Sequence, residues 1–539
     1  MIIEKLRIIN FKLYDDTGKV FHFNEDLNII VGNNDTGKST ILDALQLVTT
    51  GKISGVYVDR ALTMNLFNMK SQKKFIDSLL TNTPTLPEIT IEIYGKKDDR
   101  FADFSGSNNT LGEDCPGMQM KLEFDETYAT EFKDRLLKKE ITQIPIEYYK
   151  ISKYYFSGIP IEYRKTPFKT AYLDASRNSY SRYVYQYVDS NIADYLDPTD
   201  KANLSIEYRS NRDKFAQSDQ IKKLNESLQK DKHILNDKSV SIDLYDESVD
   251  EWKKHVTLKI DENPIDTLGY GTQNSIKIEL ALRNNSDLTN LVLIEEPENN
   301  LSYVNMSRLI KKIVNVTTSQ IFITTHSSFV ANKSNLGKLI VLGNFDNTNL
   351  LTLSNDTKEY FKKLPGYDTL RIILSEKAIL VEGPSDELIV QRAYKDIHGK
   401  LPIEDGIDVI SVDSLAFKRY LEIALKINKK TVVVTDNDSD IDKNIIKKYA
   451  DYIDKENITF CYETDEKLHT LETSLVEANI APDDWDKFKL VVSKNNSMIN
   501  KSKKDIISFM KDNKTEWSFR VFDSKERIKY PEYILNAIK

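Results

Sequence analysis

Two short apolar runs that end in carboxylates constrain this chain more than any other feature. Ala378-Ile379-Leu380-Val381 leads into Glu382-Gly383-Pro384-Ser385-Asp386-Glu387, and Thr431-Val432-Val433-Val434-Thr435 leads into Asp436-Asn437-Asp438. Both runs are short, β-rich and closed by turn residues, so each reads as a buried strand of a parallel sheet. Such strands deliver their last side chains to the carboxyl edge of the sheet, where open α/β sheets place their ligands. Asp386 falls in the first turn of the helix expected next, where Asp is also favoured for capping alone. Asp436 and Asp438 flank one residue and share a side if the chain stays extended. Asp440 and Asp442 continue the acidic run, and a solvated turn is the alternative reading of it. Carboxylates crowded at one edge repel, so they call for hard cations with oxygen ligands, above all Mg²⁺ (or Mn²⁺). Glu472, after a predicted strand at Ile458–Tyr462, marks a third acidic site and is a further candidate metal ligand.

A second constellation lies upstream. Leu27-Asn28-Ile29-Ile30-Val31 reads as a strand and passes straight into Gly32-Asn33-Asn34-Asp35-Thr36-Gly37-Lys38-Ser39, with Thr40 next and a helical pattern through Ile41, Leu42, Ala44, Leu45 and Leu47. This is the full phosphate-loop spacing in its strand and helix context. Its backbone N–H groups and the helix amino terminus would face phosphate, Lys38 would reach the β- and γ-phosphates of ATP, and Ser39 would hold Mg²⁺. Leu291-Val292-Leu293-Ile294 is a further strand, tipped by Glu295-Glu296-Pro297-Glu298. There Glu295 would act on the metal, with a longer reach than the Asp common at that place, and Glu296 would orient or deprotonate the attacking water. Ile321–Thr325 is another strand, and His326 at its tip is a candidate γ-phosphate sensor. Gly269-Tyr270-Gly271-Thr272-Gln273 reads as a Gly-rich loop before a helix over Ile276–Leu282.

Composition excludes several classes. The formal net charge of -8 argues against a whole-molecule polyanion binder, so a nucleic-acid surface must be local. Residues 501–539 hold ten Lys/Arg against six Asp/Glu, a net +4 that suits phosphate or a solvated helix face. Cys115 and Cys461 are too few for a disulfide framework or a zinc site. The start of the chain lacks a signal-peptide core and no run of about 18 apolar residues occurs, so a soluble, cytoplasmic protein with no membrane contact is expected.

The acidic motifs, with a helix between them, resemble the TOPRIM domain shared by primases, type IA and type II topoisomerases and some nucleases. The order phosphate loop, Gly-rich segment, Glu-Glu-Pro-Glu and Thr-His-Ser resembles ATPases of the ABC class, in the RecF and SMC branch. Both in one chain resemble the OLD (overcoming lysogenization defect) family of nucleases, including the Gabija-type and retron-associated defence nucleases. The resemblance implies an α/β chain: an ABC/SMC-RecF-like P-loop ATPase head with a helical insert, followed by a Rossmann-like TOPRIM domain. The expected divisions are ATPase over 1–177 and 251–365, a helical insert over 178–250 that serves dimerisation or is a solvated cap, and TOPRIM over 366–539.

By the same resemblance, Gly269 and Gly271 belong to a signature motif that binds the γ-phosphate held by a second subunit. Glu382, Asp386, Asp436, Asp438 and Glu472 hold two metal ions that cleave DNA. A Lys of the 501–504 segment, Lys503 before Lys501, stabilises the transition state. Asn299-Asn300-Leu301-Ser302-Tyr303 lacks the Leu-His-Pro common after the Glu pair, and Ser411–Ala416 lacks the family's glycines. The implied function is an ATP-regulated, metal-dependent DNA endonuclease of antiphage defence. It would be a homo-oligomer, dimer or tetramer, with or without a partner protein or nucleic acid of a defence system. An ATP-switched scaffold that binds without cutting is the alternative. A topoisomerase-like strand passer would need a Tyr on a separate DNA-cleaving domain, and the chain has 28 Tyr but no spare domain.

Overall fold

The computed structural model describes residues 1–53, 56–81, 84–162, 166–175, 197–230, 241–243, 252, 258–282, 289–315, 319–343, 348–349, 353–364, 366, 368–493 and 498–539. The chain divides into two compact units. The larger comprises Ile2–Leu45, Thr63–Pro160 and Phe322–Lys539, and the smaller comprises Met1, Gln46–Leu62 and Ile161–Ile321.

An antiparallel layer opens the larger unit, in the order Lys19–His22, Ile3–Ile9, Ile89–Gly95 and Cys115–Phe124, with Tyr149–Tyr155 also paired to the last. Leu6 lies opposite Ile93 and Ile91 opposite Met120, which stacks apolar side chains on one buried face. Leu27–Val31 is a wholly buried strand, parallel to Leu339–Val341. The helix Lys38–Thr50 follows its phosphate loop and buries Ile41, Leu42, Ala44 and Leu45.

The carboxyl-terminal part of this unit is a four-stranded parallel sheet in the order Ile407–Ser411, Lys377–Val381, Lys430–Val434 and Ile458–Cys461. Both acid-tipped runs are therefore the inner strands, which explains their unbroken apolar sequence. The helices Pro384–His398 and Asp413–Lys426 make the crossovers. Five further helices, from Leu471–Ala478 to Glu532–Ala537, close over one face, and Trp517, Phe488, Leu475 and Ile534 pack with Ile389 and Ala393 in one core. Arg392 is buried in that core, and its guanidinium donates to the carbonyls of Val521, Phe522, Ser524 and Glu526. Removing it would break all four bonds and leave the buried Val521 carbonyl without this donor.

In the smaller unit, Phe168–Asp174 and Thr289–Glu295 are parallel, with Asp174 opposite Glu295. Helices Pro198–Ala216 and Asp219–Lys230 occupy the middle of the expected insert; its residues 178–196, 231–240 and 244–250 lie outside the described residues. The expected Gly-rich loop at 269–275 is not a loop. The helix begins at Tyr270 and runs to Leu282, so Gly271 sits in its first turn. At the expected division between 365 and 366, Pro365 and Tyr367 lie outside the described residues, and helices Asn355–Lys363 and Thr369–Leu374 stand on either side.

Candidate active site

Glu382 caps the strand Lys377–Val381, and Asp436 follows Lys430–Val434 on the neighbouring strand, so the sheet sets both at one edge. The Glu382 carboxylate accepts the Thr435 hydroxyl (2.6 Å) and the Asp436 N–H (3.0 Å) through Oε1. Asp386 stands at the third residue of the helix Pro384–His398, where Oδ2 accepts the Gly383 N–H at 3.1 Å. The capping role foreseen for Asp386 is thus filled, and the same geometry aims its carboxyl at the acidic edge. Burial, then Glu382 and Glu472, push its pKa up to about 7. Burial, then Asp386, Glu382, Glu472 and Asp438, push Asp436 up to about 9. Glu472 is buried in the first turn of Leu471–Ala478.

The five carboxylates picked from the sequence therefore share one electrostatic site. Among the described residues no three His, Cys, Asp or Glu side chains converge as a ready-made ligand set. Glu382 and Asp386 are instead each turned onto a backbone N–H donor.

Contrary to the expectation for an extended chain, Asp436 and Asp438 do not share one side of a strand. The chain turns at once, with Asp438 at φ +47 and Ser439 at φ +63. Buried Asn437 holds the turn, donating to the carbonyls of Glu463 (2.8 Å) and Asp465 (3.2 Å) and accepting the Ser439 N–H (2.9 Å). Asp440 and Asp442 are exposed, and Asp442 pairs with Lys447, as the solvated-turn reading has it.

Lys503 opens the helix Lys503–Asp512, and its ammonium pairs with Glu477 rather than with the five acids. Lys501 and Lys504 are exposed. Lys514 stands instead beside the acids, its Nζ 3.9 Å from Glu472 Oε1. Sequence reasoning missed it, and also missed Thr435, Asn437 and Tyr533. Tyr533 is buried, and its hydroxyl pKa is raised by burial and then by Asp436 and Asp386. Lys514 was one of ten basic residues in the tail, and nothing in local sequence singles it out.

In the larger unit the phosphate loop has the expected shape. Asp35 and Gly37 take positive φ (+61 and +94). A Cβ at Gly32 would sit 2.5 Å from Thr36 Oγ1 and 3.0 Å from the Leu342 carbonyl oxygen. Lys38 is buried and donates to the carbonyls of Gly32 (3.0 Å) and Asn33 (2.8 Å). The Thr325 N–H donates to the Ile30 carbonyl (3.1 Å), so exposed His326 leaves the sheet at the edge where Gly32 does.

In the smaller unit Glu295 is buried and accepts the Tyr172 hydroxyl (2.5 Å). Glu296 takes φ +47 and accepts Asn299 Nδ2 at 2.8 Å. A Cβ on Gly271 would meet the Asn300 carbonyl oxygen at 2.2 Å, whereas one on Gly269 would meet nothing within 4 Å.

A parallel sheet with carboxylates at its carboxyl edge, in one chain with a strand, phosphate loop and helix, defines a P-loop ATPase carrying a TOPRIM domain. The AAA ATPase domain family matches residues 1–331, more than half of the chain, and the chain belongs to that family. The Overcoming lysogenization defect protein-like TOPRIM domain matches residues 373–438. The Old nuclease of Escherichia phage P2 is 25% identical over 288 residues, which are 48% of this chain and 48% of that protein. The chain thus spans about half the length of that curated relative. Among solved structures, the carboxyl-terminal region of the Xanthomonas campestris OLD protein is 18% identical, with a TM-score of 0.24 over 31% of this chain and 94% of that one. The SMC head domain from Thermotoga maritima is 12% identical, with a TM-score of 0.27 over 64% of this chain and 97% of that one. No helix among the described residues is long and apolar enough to cross a membrane.

Proposed function

We propose that this protein is an ATP-binding and ATP-hydrolysing, divalent-metal-dependent DNA endonuclease whose TOPRIM domain cuts phosphodiesters, in antiphage defence and as a homo-oligomer. One observation carries the reading. Five carboxylates lie within electrostatic reach of one another at the end of a parallel sheet, and burial, followed by repulsion from the other acids, raises Asp386 and Asp436 far above the ordinary carboxylate range. An all-oxygen, over-charged set of this kind suits Mg²⁺ or Mn²⁺.

Glu382, Asp386, Asp436, Asp438 and Glu472 would hold the ions, which when bound supply charge neutralisation and an activated water. Thr435 and the Asp436 N–H orient Glu382, and Asn437 fixes the turn that presents Asp438. Lys514, rather than Lys503, is the cation suited to a phosphate at this edge, where its charge would offset that of the transition state. In the larger unit Lys38 and the loop N–H groups would hold the ATP phosphates and Ser39 a Mg²⁺; in the smaller unit Glu295 keeps the metal role and Glu296 the water-orienting role that their sequence motif implies.

The test is plasmid cleavage by the full chain in Mg²⁺ or Mn²⁺, with and without ATP, beside Glu382→Ala and Asp436→Ala. Cleavage abolished in both variants is expected. Equal cleavage by the wild type and both variants would remove the TOPRIM site from the chemistry, and no cleavage under any condition would favour a scaffold.

A further inference from the structure

The short helix Thr369–Leu374 lies in the larger unit and bonds both to the phosphate loop and to residues next to the TOPRIM acids. At its carboxyl end the Leu374 carbonyl accepts Asn33 Nδ2 of the phosphate loop at 3.0 Å. At the same end buried Lys429 donates to the Ile373 carbonyl at 3.1 Å and to that of Ser375. Lys429 directly precedes the strand that delivers Asp436, and Leu374 lies three residues before the strand that delivers Glu382. Along its flank the helix is fastened to Ser328–Ser334, the helix that follows His326. There Thr369 Oγ1 donates to Asn332 Oδ1 (2.5 Å) with both residues fully buried, and Ser328 Oγ donates to Asp368.

Arg371 projects from this helix into the TOPRIM domain. Its guanidinium grips Asp408 through two bonds (2.9 and 2.6 Å), donates to the Val409 carbonyl (2.8 Å) and lies 3.4 Å from Glu387 Oε1. Glu387 is the residue after Asp386. Asp408 pairs with Ala378 on the strand that ends at Glu382. A planar fork fixed at three acceptors transmits a shift of its helix better than a single contact does.

We propose that Arg371 is a positioning residue for the TOPRIM carboxylates, and that the helix Thr369–Leu374 carries nucleotide occupancy from Asn33 and the helix after His326 to them. This rests on the function proposed above and names its regulation. Phosphates taken up by the loop N–H groups reset the backbone around Asn33. The Leu374 contact and the Ser328 and Asn332 contacts then hold the helix differently, and Arg371 moves Asp386 by way of Glu387. The helix is thereby a packed element whose placement both sites bias, the physical requirement for coupling.

The test uses the full chain and two variants. Arg371→Met removes the fork, and Arg371→Met/Asp408→Asn does so without stranding the Asp408 charge. Plasmid cleavage is measured with and without ATP, and amide hydrogen exchange is followed with and without ATP. In the wild type, ATP changes the cleavage rate by at least about fivefold, and in the double variant the ratio falls to within about twofold of one. Exchange of residues 28–38 responds to ATP in both proteins, while that of residues 382–390 responds in the wild type alone. An ATP response at 382–390 that survives in the double variant, or that never reaches 382–390 in the wild type, overturns the proposal. Failure of the nuclease reading is separate. A wild type that never cuts, yet shows the exchange response at 382–390 and loses it in the variant, retains the relay and loses the nuclease.

Discussion

Ser385 Oγ donates to the backbone carbonyl of Lys514 at 3.1 Å, across 129 residues of sequence. The bond joins the first turn of the helix that carries Asp386 to the start of the helix Lys514–Asp523. Ser518 Oγ takes the same carbonyl at 3.0 Å. The Lys514 main chain is therefore fixed beside the acids while its side chain stays largely exposed. A cation tethered by its backbone and exposed at its tip beside Glu472 can meet a phosphate without giving up its main-chain role.

It follows that Lys514→Ala leaves the fold intact, because the Ser385 and Ser518 bonds use only the main chain. Plasmid cleavage should fall by about 10²-fold or more, the usual cost of removing one group that stabilises the transition-state charge. Lys503→Ala, which loses only an exposed pair with Glu477, should stay within about threefold of wild type, since such pairs contribute little. The reverse ranking would return the role to Lys503.

The acidic edge makes the metal-free protein pH-sensitive. Asp436 has its pKa raised from 3.8 to about 9 in the folded state. The folded chain therefore holds this proton more tightly than the unfolded chain does. The resulting stability is full below about pH 4 and is lost as pH rises toward about 9. Thermal unfolding in EDTA should show wild type less stable at pH 8 than at pH 5. Asp436→Asn should flatten that difference and be more stable than wild type at pH 8 by on the order of 2 kcal/mol. Added Mg²⁺ or Mn²⁺ should raise the wild-type transition more than the variant's. Superimposable pH profiles for the two proteins would contradict this account.

Gly32→Ala tests the phosphate loop. The added Cβ would press on Thr36 Oγ1, whose bond to the Asn33 carbonyl (2.8 Å) shapes the turn, and on the Leu342 backbone. Binding of a fluorescent ATP analogue should weaken by about tenfold or more, about 1.4 kcal/mol, with circular dichroism unchanged. Wild-type affinity in this variant would mean that the loop relaxes freely.

Gly271 and Gly269 separate packing from ligand binding. Alanine is favoured within a helix, so Gly271→Ala would be harmless on local grounds. The Asn300 carbonyl leaves no room for it, and a loss of about 1–3 kcal/mol is expected in urea unfolding. Gly269→Ala, with open space around it, should stay within about 0.5 kcal/mol of wild type. Equal stability of the two variants would show that the Asn300 segment yields.

Much of this protein is legible from its sequence, for a local reason. Hydrophobic runs of strand length, turn residues after them and the spacing of a phosphate loop are short-range patterns, and they govern backbone shape within a few residues. The strands before Gly32, Glu382 and Asp436, and the helices after Lys38 and Pro384, follow from that alone. The delivery of Glu382 and Asp436 to one edge needs more, the pairing of their strands in register with Lys377 opposite Lys430 and Leu380 opposite Val433. The tertiary structure decided what depends on contacts between distant segments. It turned Asp438 out of line through Asn437's bonds to Glu463 and Asp465. It extended the helix back to Tyr270 where the glycines suggested a loop, because a residue without Cβ suits both a turn and a tight helix contact. It also set Lys514 rather than Lys503 beside Glu472, because a lysine's neighbours are set by how helices pack, and no local pattern encodes a bond that spans 129 residues.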